Sequence, residues 1–146
     1  MDAGSNLRSS LSTTALHLSV LVVEDDESNR LVVDAVLKRF QCRVRHANNG
    51  KTAVEFARSG EFDVILMDYH LPEMDGIAAT RAIREFEAGT GRPRVPIIGL
   101  TGSAETSEFQ ECLDAGMSRM LPKPFRFGDL REALEQVAPR PGVASQ

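Results

Sequence analysis

The chain has 146 residues, of which 42% are hydrophobic and 26% are charged, a balance typical of one globular domain with a core of ordinary size. Its formal net charge of -4 and its lack of a concentrated basic stretch argue against nucleic acid as a direct partner. Cys42 and Cys112 are too few and too isolated for a disulfide framework or a metal site, so we expect a reducing, cytoplasmic compartment.

Both ends of the chain are polar and have no sustained hydrophobic period. Residues 1–17 predict a flexible leader or linker, because the apolar run Ala15–Val20 is too short for a signal peptide. Residues 139–146 hold two prolines and a glycine and predict a flexible tail. No apolar run approaches the roughly 20 residues that a spanning helix needs, so we expect no membrane insertion and one domain over residues 18–138.

Short apolar runs that end on polar residues predict the strands of a parallel sheet covered on both faces. Ligands of such sheets gather at the carboxyl ends of the strands, so the residues that follow these runs should share one mouth. Val20–Val23 is followed by Glu24, Asp25 and Asp26, Val64–Met67 by Asp68, Ile97–Leu100 by Thr101-Gly102-Ser103, and a fourth run by Lys123.

Helical patterns lie between the predicted strands. Ser28 is expected to cap a first helix that runs to about Phe40 and turns Val32, Val36 and Phe40 toward the sheet. Glu87–Arg94 predicts a surface loop at the opposite end of the sheet from the acids. The other helices are expected at Lys51–Arg58, after Gly76 with Ala79, Ala82, Ile83 and Phe86 on one face, from about Ser103 to Ala115 with Phe109, Cys112 and Leu113 inward, and at Asp129–Val137.

The residues at the predicted mouth suit transfer of a phosphoryl group to a carboxylate. Crowded carboxylates need a counter-charge at neutral pH, which Mg²⁺, or Mn²⁺ in its place, would supply. Asp68 would be the nucleophile, and Glu24 and Asp25 would hold the metal directly or through water. Lys123 would offset phosphoryl charge, and the Thr101 hydroxyl would donate to a phosphoryl oxygen.

Each of these residues has a commoner explanation when it is considered alone. Acids after a strand are mostly solvated loop or cap residues, and this explanation is retained for Asp26 and Asp75. Thr101 alone would more often cap a helix. His17 and His46 have no acidic or histidine partner in metal spacing and are expected in surface or packing roles. The convergence of several such residues on one mouth is what favours the functional interpretation of the others.

Five motifs give the chain a specific resemblance to the receiver domains of two-component signalling, especially those of hybrid histidine kinases. The resemblance covers Val20 to about Ala138. The motifs are Val-Val-Glu-Asp-Asp at 22–26, Met-Asp-Tyr-His-Leu-Pro-Glu-Met-Asp-Gly at 67–76, Gly-Leu-Thr-Gly-Ser at 99–103, Ala-Gly-Met at 115–117 and Leu-Pro-Lys-Pro-Phe at 121–125.

The resemblance implies a flavodoxin-like α/β fold, a doubly wound parallel sheet of five strands in the order 2-1-3-4-5 with five helices. It implies phosphorylation of Asp68 by a histidine kinase or a histidine phosphotransfer protein, and a cis Lys123-Pro124 peptide. It also implies Mg²⁺ bound by Asp25, Asp68 and the backbone carbonyl of His70, with Glu24 helping through water. The His70 side chain itself is expected to face solvent.

Signal output by this resemblance would use the surface of helix 4, strand 5 and helix 5. Met120 stands where the family often has Tyr or Phe, so an aromatic switch is not expected. We expect the switch to work through Thr101, with the flexible Met120 side chain repacking around it.

Three other functions are weighed against a receiver. A phosphohydrolase of the haloacid dehalogenase type would need a second acid two residues after the nucleophile, where this chain has His70. A receiver that only binds proteins would not need all five site residues, and a flavin site would need a phosphate loop after strand one. We therefore expect a self-phosphorylating and self-dephosphorylating signalling domain without separate enzymatic turnover, and its place inside or outside a parent hybrid kinase stays open.

Overall fold

In a computed structural model, residues 15–102 and 106–137 are described, and within them five strands alternate with five helices. Most of the predicted leader, Ser103 and the predicted tail lie outside the described residues. The elements in chain order are β1 (Ser19–Val23), α1 (Glu27–Arg39), β2 (Arg43–Ala47), α2 (Gly50–Ser59), β3 (Val64–Asp68), α3 (Gly76–Thr90), β4 (Ile97–Thr101), α4 (Thr106–Ala115), β5 (Arg119–Pro122) and α5 (Phe127–Val137).

The five strands form one parallel sheet in the order β2-β1-β3-β4-β5, which confirms the predicted topology. Val20 of β1 pairs with Val44 on one side and with Val64 on the other. Thr101 of β4 pairs with Pro122, the last residue of β5. Because all strands run in one direction, their carboxyl ends lie along the same edge of the sheet.

Alternate residues of the strands fill two separate cores, one on each face of the sheet. Val20, Val22 and Leu66 face α1 and α5, where Leu37 and Leu134 are fully buried. The opposite core packs against α2, α3 and α4 and consists of Leu21, Val23, Ala47, Ala53, Val54, Ile65, Met67, Ile77, Ala79, Ile83, Ile97, Cys112, Ala115 and Met117. Burial on both faces explains why β1, β3 and β4 are continuous apolar runs.

The amino-terminal end of α1 differs from the prediction in its cap and in its buried face. Asp26, not Ser28, is the N-cap, and its carboxylate accepts hydrogen bonds from the backbone N–H groups of Ser28 at 2.8 Å and Asn29 at 3.4 Å. Val32 is 57% exposed, whereas Val33 and Leu37 are buried. Val36 packs against the core and Phe40 is fully buried, as predicted, so the error is confined to Val32. Leu31, Val32 and Val33 form a continuous apolar run, and the sequence alone does not show which of the three faces the core.

The helix α3 is longer than predicted and shortens the loop that follows it. It continues to Thr90 and ends at Gly91, whose φ of 74° is the left-handed conformation that glycine adopts readily. Glu87, predicted to begin a surface loop, is buried and forms an ion pair with Arg84 at 2.8 Å. Its second oxygen accepts a hydrogen bond from the Val95 N–H at 2.9 Å, which holds the short loop against α3.

Smaller differences concern helix ends and one side chain of α4. The helices α2 and α5 start one and two residues earlier than expected, at Gly50 and Phe127. Leu113, predicted to face inward, is 43% exposed, while Cys112 beside it is fully buried. None of the helices in the described ranges combines the length and apolarity needed to cross a bilayer.

Candidate functional site

Three carboxylates meet at the carboxyl edge of the sheet. Glu24 and Asp25 directly follow β1, and Asp68 is the last residue of β3. One oxygen from each side chain lies within 4.8 Å of an oxygen from each of the others. Glu24 and Asp68 are buried, at 1% and 5% exposure, and Asp25 is open to solvent. The structure thus brings together the three acids that the sequence placed at one mouth.

Lys123 brings a positive charge into this cluster from the far side of the sheet. Its Nζ donates to Oε1 of Glu24 and to Oδ1 of Asp68, each at 3.2 Å. It directly follows β5, its backbone N–H donates to the carbonyl of Thr101 at 2.6 Å, and the Lys123-Pro124 peptide is cis as expected. Burial lowers the pKa of Lys123, but the charges of Asp68 and Glu24 outweigh it, so the net shift is upward and the ammonium stays charged.

The carboxyl of Asp68 has a pKa above that of an ordinary aspartate. Burial is the largest cause and the negative charge of Glu24 the second, and despite the opposing effect of Lys123 they raise the pKa of Asp68 to about 6. The group is therefore ionised at neutral pH, yet it carries its charge at a cost. A second cation beside it would remove that cost.

The donor set fits a hard divalent cation. All three side chains offer oxygen, which Mg²⁺ and Ca²⁺ prefer to nitrogen or sulfur ligands. Three carboxylates and one ammonium leave two negative charges without compensation, which matches one divalent ion.

Gly76, the first residue of α3, lets this helix begin beside Asp68. A side chain at this position would collide with the backbone oxygen of Asp68, and the Gly76 N–H donates to the Tyr69 carbonyl at 3.1 Å. Asp75, interpreted from the sequence as a turn or cap residue, is the N-cap of α3 and accepts from the Ala78 N–H at 2.8 Å. The glycine at the end of the 67–76 motif is therefore required by the close approach of α3 to the site.

Thr101 is fully buried at the end of β4, and its hydroxyl donates to Oε1 of Glu108 at 2.6 Å. Glu108 lies in the first turn of α4. One turn later, Glu111 accepts a hydrogen bond from the Tyr69 hydroxyl at 3.1 Å. Burial and the bond to Glu111 raise the pKa of Tyr69 to about 12, so it stays a donor. Sequence reasoning missed both acids, although their i, i+3 spacing on one helix face was the available signal.

The remaining residues singled out from the sequence lie around this site or away from it. The His70 side chain is exposed, and its ring meets that of Tyr69 edge to face at 4.6 Å between centroids. The metal-binding role of its backbone carbonyl stays a prediction. Met120 packs beside Gly99, where an added Cβ would lie 2.7 Å from its sulfur. Nε2 of His46 lies 3.0 Å from an oxygen of Asp34 at the surface, a contact that the sequence did not indicate.

The doubly wound parallel sheet defines a flavodoxin-like α/β domain. At the carboxyl edge of this sheet, three carboxylates and one lysine form a site suited to a divalent cation. Residues 20–135 match the family of the response regulator receiver domain, and the chain belongs to this family. It is a receiver domain of two-component signalling, as the sequence motifs indicated.

Relatives of known identity agree with this assignment. Hybrid signal transduction histidine kinase M of Dictyostelium discoideum is 37% identical over 120 residues, which cover 81% of this chain and 5% of that protein. The chain spans 16% or less of the first curated relatives that it matches.

Two solved structures share the fold. A sensor histidine kinase receiver domain from Pseudomonas aeruginosa, with a magnesium ion coordinated in its active-site cleft, is 41% identical with a TM-score of 0.75, covering 82% of this chain and 96% of that one. The receiver domain of Ssk1 from Saccharomyces cerevisiae, crystallised with the histidine phosphotransfer protein Ypd1, belongs to a structure that is 28% identical with a TM-score of 0.81, covering 86% and 91%.

Replacing Asp68 by Asn should stabilise the metal-free protein in a pH-dependent way. The pKa of Asp68 is raised from 3.8 to about 6 on folding, so the folded state binds more protons in this window and loses stability as the pH rises through it. At pH 8 the Asp68→Asn variant should gain about 1 to 3 kcal/mol in free energy of unfolding. The gain should shrink below pH 6 and vanish near pH 4.

Urea unfolding in chelator at pH 8, 5 and 4 measures this difference. The matched control is Glu85→Gln, which removes an exposed carboxylate from α3 and should give no comparable gain. A gain of equal size at pH 8 and pH 4 would mean that the charge of Asp68 is not its cause.

Proposed function

We propose that this receiver domain is a phosphoacceptor that takes a phosphoryl group from a phosphohistidine onto Asp68. The observation that carries the proposal is the buried Asp68 carboxylate, which lies within 4.8 Å of two further carboxylates and 3.2 Å from Lys123. A lone buried carboxylate would serve as a nucleophile at a high electrostatic cost. Here one ammonium and a cation site surround it.

In the proposed reaction an ionised oxygen of Asp68 attacks the phosphorus, and the phosphorus–nitrogen bond of the phosphohistidine breaks. The bonding electrons return to the imidazole nitrogen, and Asp68 becomes an acyl phosphate. Attack of water on the phosphorus later releases inorganic phosphate and restores the carboxylate. The domain thus phosphorylates and dephosphorylates itself, and no separate substrate is turned over.

Glu24, Asp25, Asp68 and the backbone carbonyl of His70 are the residues that would hold Mg²⁺, or Mn²⁺ in its place. When bound, the ion would neutralise charge on the phosphoryl oxygens. The magnesium ion in the cleft of the Pseudomonas receiver domain supports this proposal, as does the oxygen-only donor set of this chain.

Lys123 and Thr101 would stabilise the phosphoryl group once it is attached. Lys123 already contacts Asp68 and can follow the new negative charge without leaving the site. Thr101 has a hydroxyl that can donate to one phosphoryl oxygen. The response would then spread to α4, β5 and α5, since Thr101 contacts α4 through Glu108 and β5 through Lys123.

The proposed donor is a histidine kinase or a histidine phosphotransfer protein, acting in the reducing cytoplasm, where the free thiols of Cys42 and Cys112 would persist.

The exposed side chains of Leu31 and Val32, at 62% and 57%, lie on α1, which begins beside the acidic mouth. We assign this apolar patch to the histidine-bearing partner, because a macromolecular donor must rest near Asp68. The Ssk1 receiver bound to Ypd1 and the hybrid kinase relatives support a partner of this class and a parent hybrid kinase.

The phosphoacceptor is tested by intact mass after incubation with acetyl phosphate and Mg²⁺. We expect one added phosphoryl group, which chelator and the Asp68→Asn substitution should each abolish. Asp75→Asn is the matched control, since asparagine retains the cap of α3 and the site is untouched. Undiminished incorporation in the Asp68→Asn variant would refute the assignment.

The choice of metal ligands is tested by titrating Mg²⁺ into two neighbouring variants. Asp25→Asn should weaken Mg²⁺ binding by about tenfold or more, because it removes one of the clustered carboxylates. Asp26→Asn should change it less than about twofold, since Asp26 caps α1 and asparagine can replace it there. Equal losses in the two variants would show that Asp25 is not a specific ligand.

The assignment of the apolar patch of Leu31 and Val32 to the partner is tested by comparing a protein donor of the phosphoryl group with a small-molecule donor. In Val32→Asp, transfer from a phosphorylated histidine phosphotransfer protein that serves the wild-type chain should slow by about tenfold or more. Phosphorylation by acetyl phosphate should be unchanged. Leu113→Asp, which makes the same kind of change at an exposed leucine on α4, is the control and should slow neither reaction. Equal slowing with both donors would remove the patch from partner binding.

A further inference from the structure

The hydrogen bond between Thr101 and Glu108 links the site to α4 directly. Oγ1 of Thr101 lies 2.6 Å from Oε1 of Glu108, a length typical of a hydroxyl that donates to an ionised carboxylate. Thr101 is fully buried, so water does not replace this carboxylate easily. Glu108 is itself only half-buried, and its charge-assisted bond to the buried hydroxyl restricts both partners.

A hydroxyl has a single proton to donate. The Thr101 hydroxyl can therefore donate to Glu108 or to a phosphoryl oxygen on Asp68, and formation of one of these hydrogen bonds breaks the other. In the structure described here the proton is given to Glu108. Any use of Thr101 as a phosphoryl donor requires that this bond breaks first.

We propose that Glu108 is a positioning residue that holds Thr101 in the resting state, and that phosphorylation of Asp68 releases α4 by taking the Thr101 proton away from Glu108. The inference rests on the proposed function, because it names the competitor that a phosphoryl group on Asp68 must displace. It assigns to Glu108 an energetic role in the phosphorylation equilibrium.

Electrostatics act in the same direction as the loss of the hydrogen bond. Phosphorylation replaces the single negative charge of the Asp68 carboxylate with a phosphoryl group that carries roughly -1.5 to -2, so the acidic mouth gains up to about one negative charge. The Glu108 carboxylate then loses a donor and faces a new anion, and both changes favour its movement away from the site. Since Glu108 lies in the first turn of α4, its movement carries the start of that helix with it.

A second contact ties the same helix face to the residue that follows the phosphoacceptor. Tyr69 comes directly after Asp68, and its hydroxyl donates to Glu111 at 3.1 Å. Glu108 and Glu111 therefore fasten α4 to the ends of β4 and β3, respectively. Met120 has no hydroxyl for such a connection and packs beside Gly99 instead. Among the described residues, the two glutamates thus provide polar connections from the site to α4.

The inference is tested with beryllofluoride, a mimic of the phosphoryl group, in the presence of Mg²⁺. In Glu108→Ala the apparent affinity for beryllofluoride should rise by about threefold to tenfold, because Glu108 no longer competes for the Thr101 proton. The NMR signals of α4 in the mimic-free variant should also move toward their positions in the saturated wild-type protein. Glu108→Gln keeps the shape and a neutral acceptor, so it should give a smaller change in both readouts.

Glu111→Ala is the matched control for charge. It removes one carboxylate from the same helix face and leaves the Thr101 bond in place, so its affinity gain should be much smaller. In a Thr101→Ala background the effect of Glu108→Ala should disappear, since the two residues act through one bond.

Several outcomes would overturn the inference. One is an unchanged or weakened affinity in both Glu108 variants, and a second is an equal gain in Glu111→Ala. A third is an undiminished effect in the Thr101→Ala background. Failure of the wild-type protein to bind beryllofluoride with Mg²⁺ would instead count against the proposed function itself, so the two failures are distinguishable.

Discussion

The contact of one ammonium group with two buried carboxylates is the interaction on which the site depends. Glu24 and Asp68 are almost entirely shielded from water, and two adjacent carboxylates in such a place would drive one of them to accept a proton. Lys123 lies 3.2 Å from both and opposes that tendency. The sheet order sets this distance, because β5 must lie at the edge next to β4 for the lysine to reach across toward β3 and β1.

Much of this arrangement could be predicted from the sequence, because its determinants are local. The buried strands are uninterrupted apolar runs, and the residues at their ends are polar, so Asp68, Thr101 and Lys123 mark the edge of the sheet without knowledge of any contact. The strand order came from the family resemblance and is confirmed. The functional roles of these residues follow from chemistry and resemblance and stay proposals.

The features that were missed depend on side-chain contacts that a hydrophobic pattern does not encode, even where the partners are only three to eight residues apart. Glu87 lies in a polar, glycine- and arginine-rich stretch that is typical of a surface loop. Its carboxylate can be buried only because it pairs with Arg84 and accepts a hydrogen bond from the Val95 N–H. Val32 belongs to an apolar run, and tertiary packing decided that its neighbour Val33 faces the core. Glu108 resembles any solvated acid at a helix start until the hydroxyl of Thr101 is placed beside it. Each error arises where a tertiary partner overrides a local pattern.

The long separation between the charges of the site also bears on how the chain is made. Lys123 comes 99 residues after Glu24 and 55 after Asp68. During translation the amino-terminal segments emerge first, so β1 and β3 can associate before the lysine leaves the ribosome. Until then their acids lack the compensating ammonium, and full burial of the pair is disfavoured. In the nascent domain the edge that holds Glu24 and Asp68 should therefore stay incompletely packed. Addition of β5, which brings Lys123, is the step that allows both carboxylates to be buried.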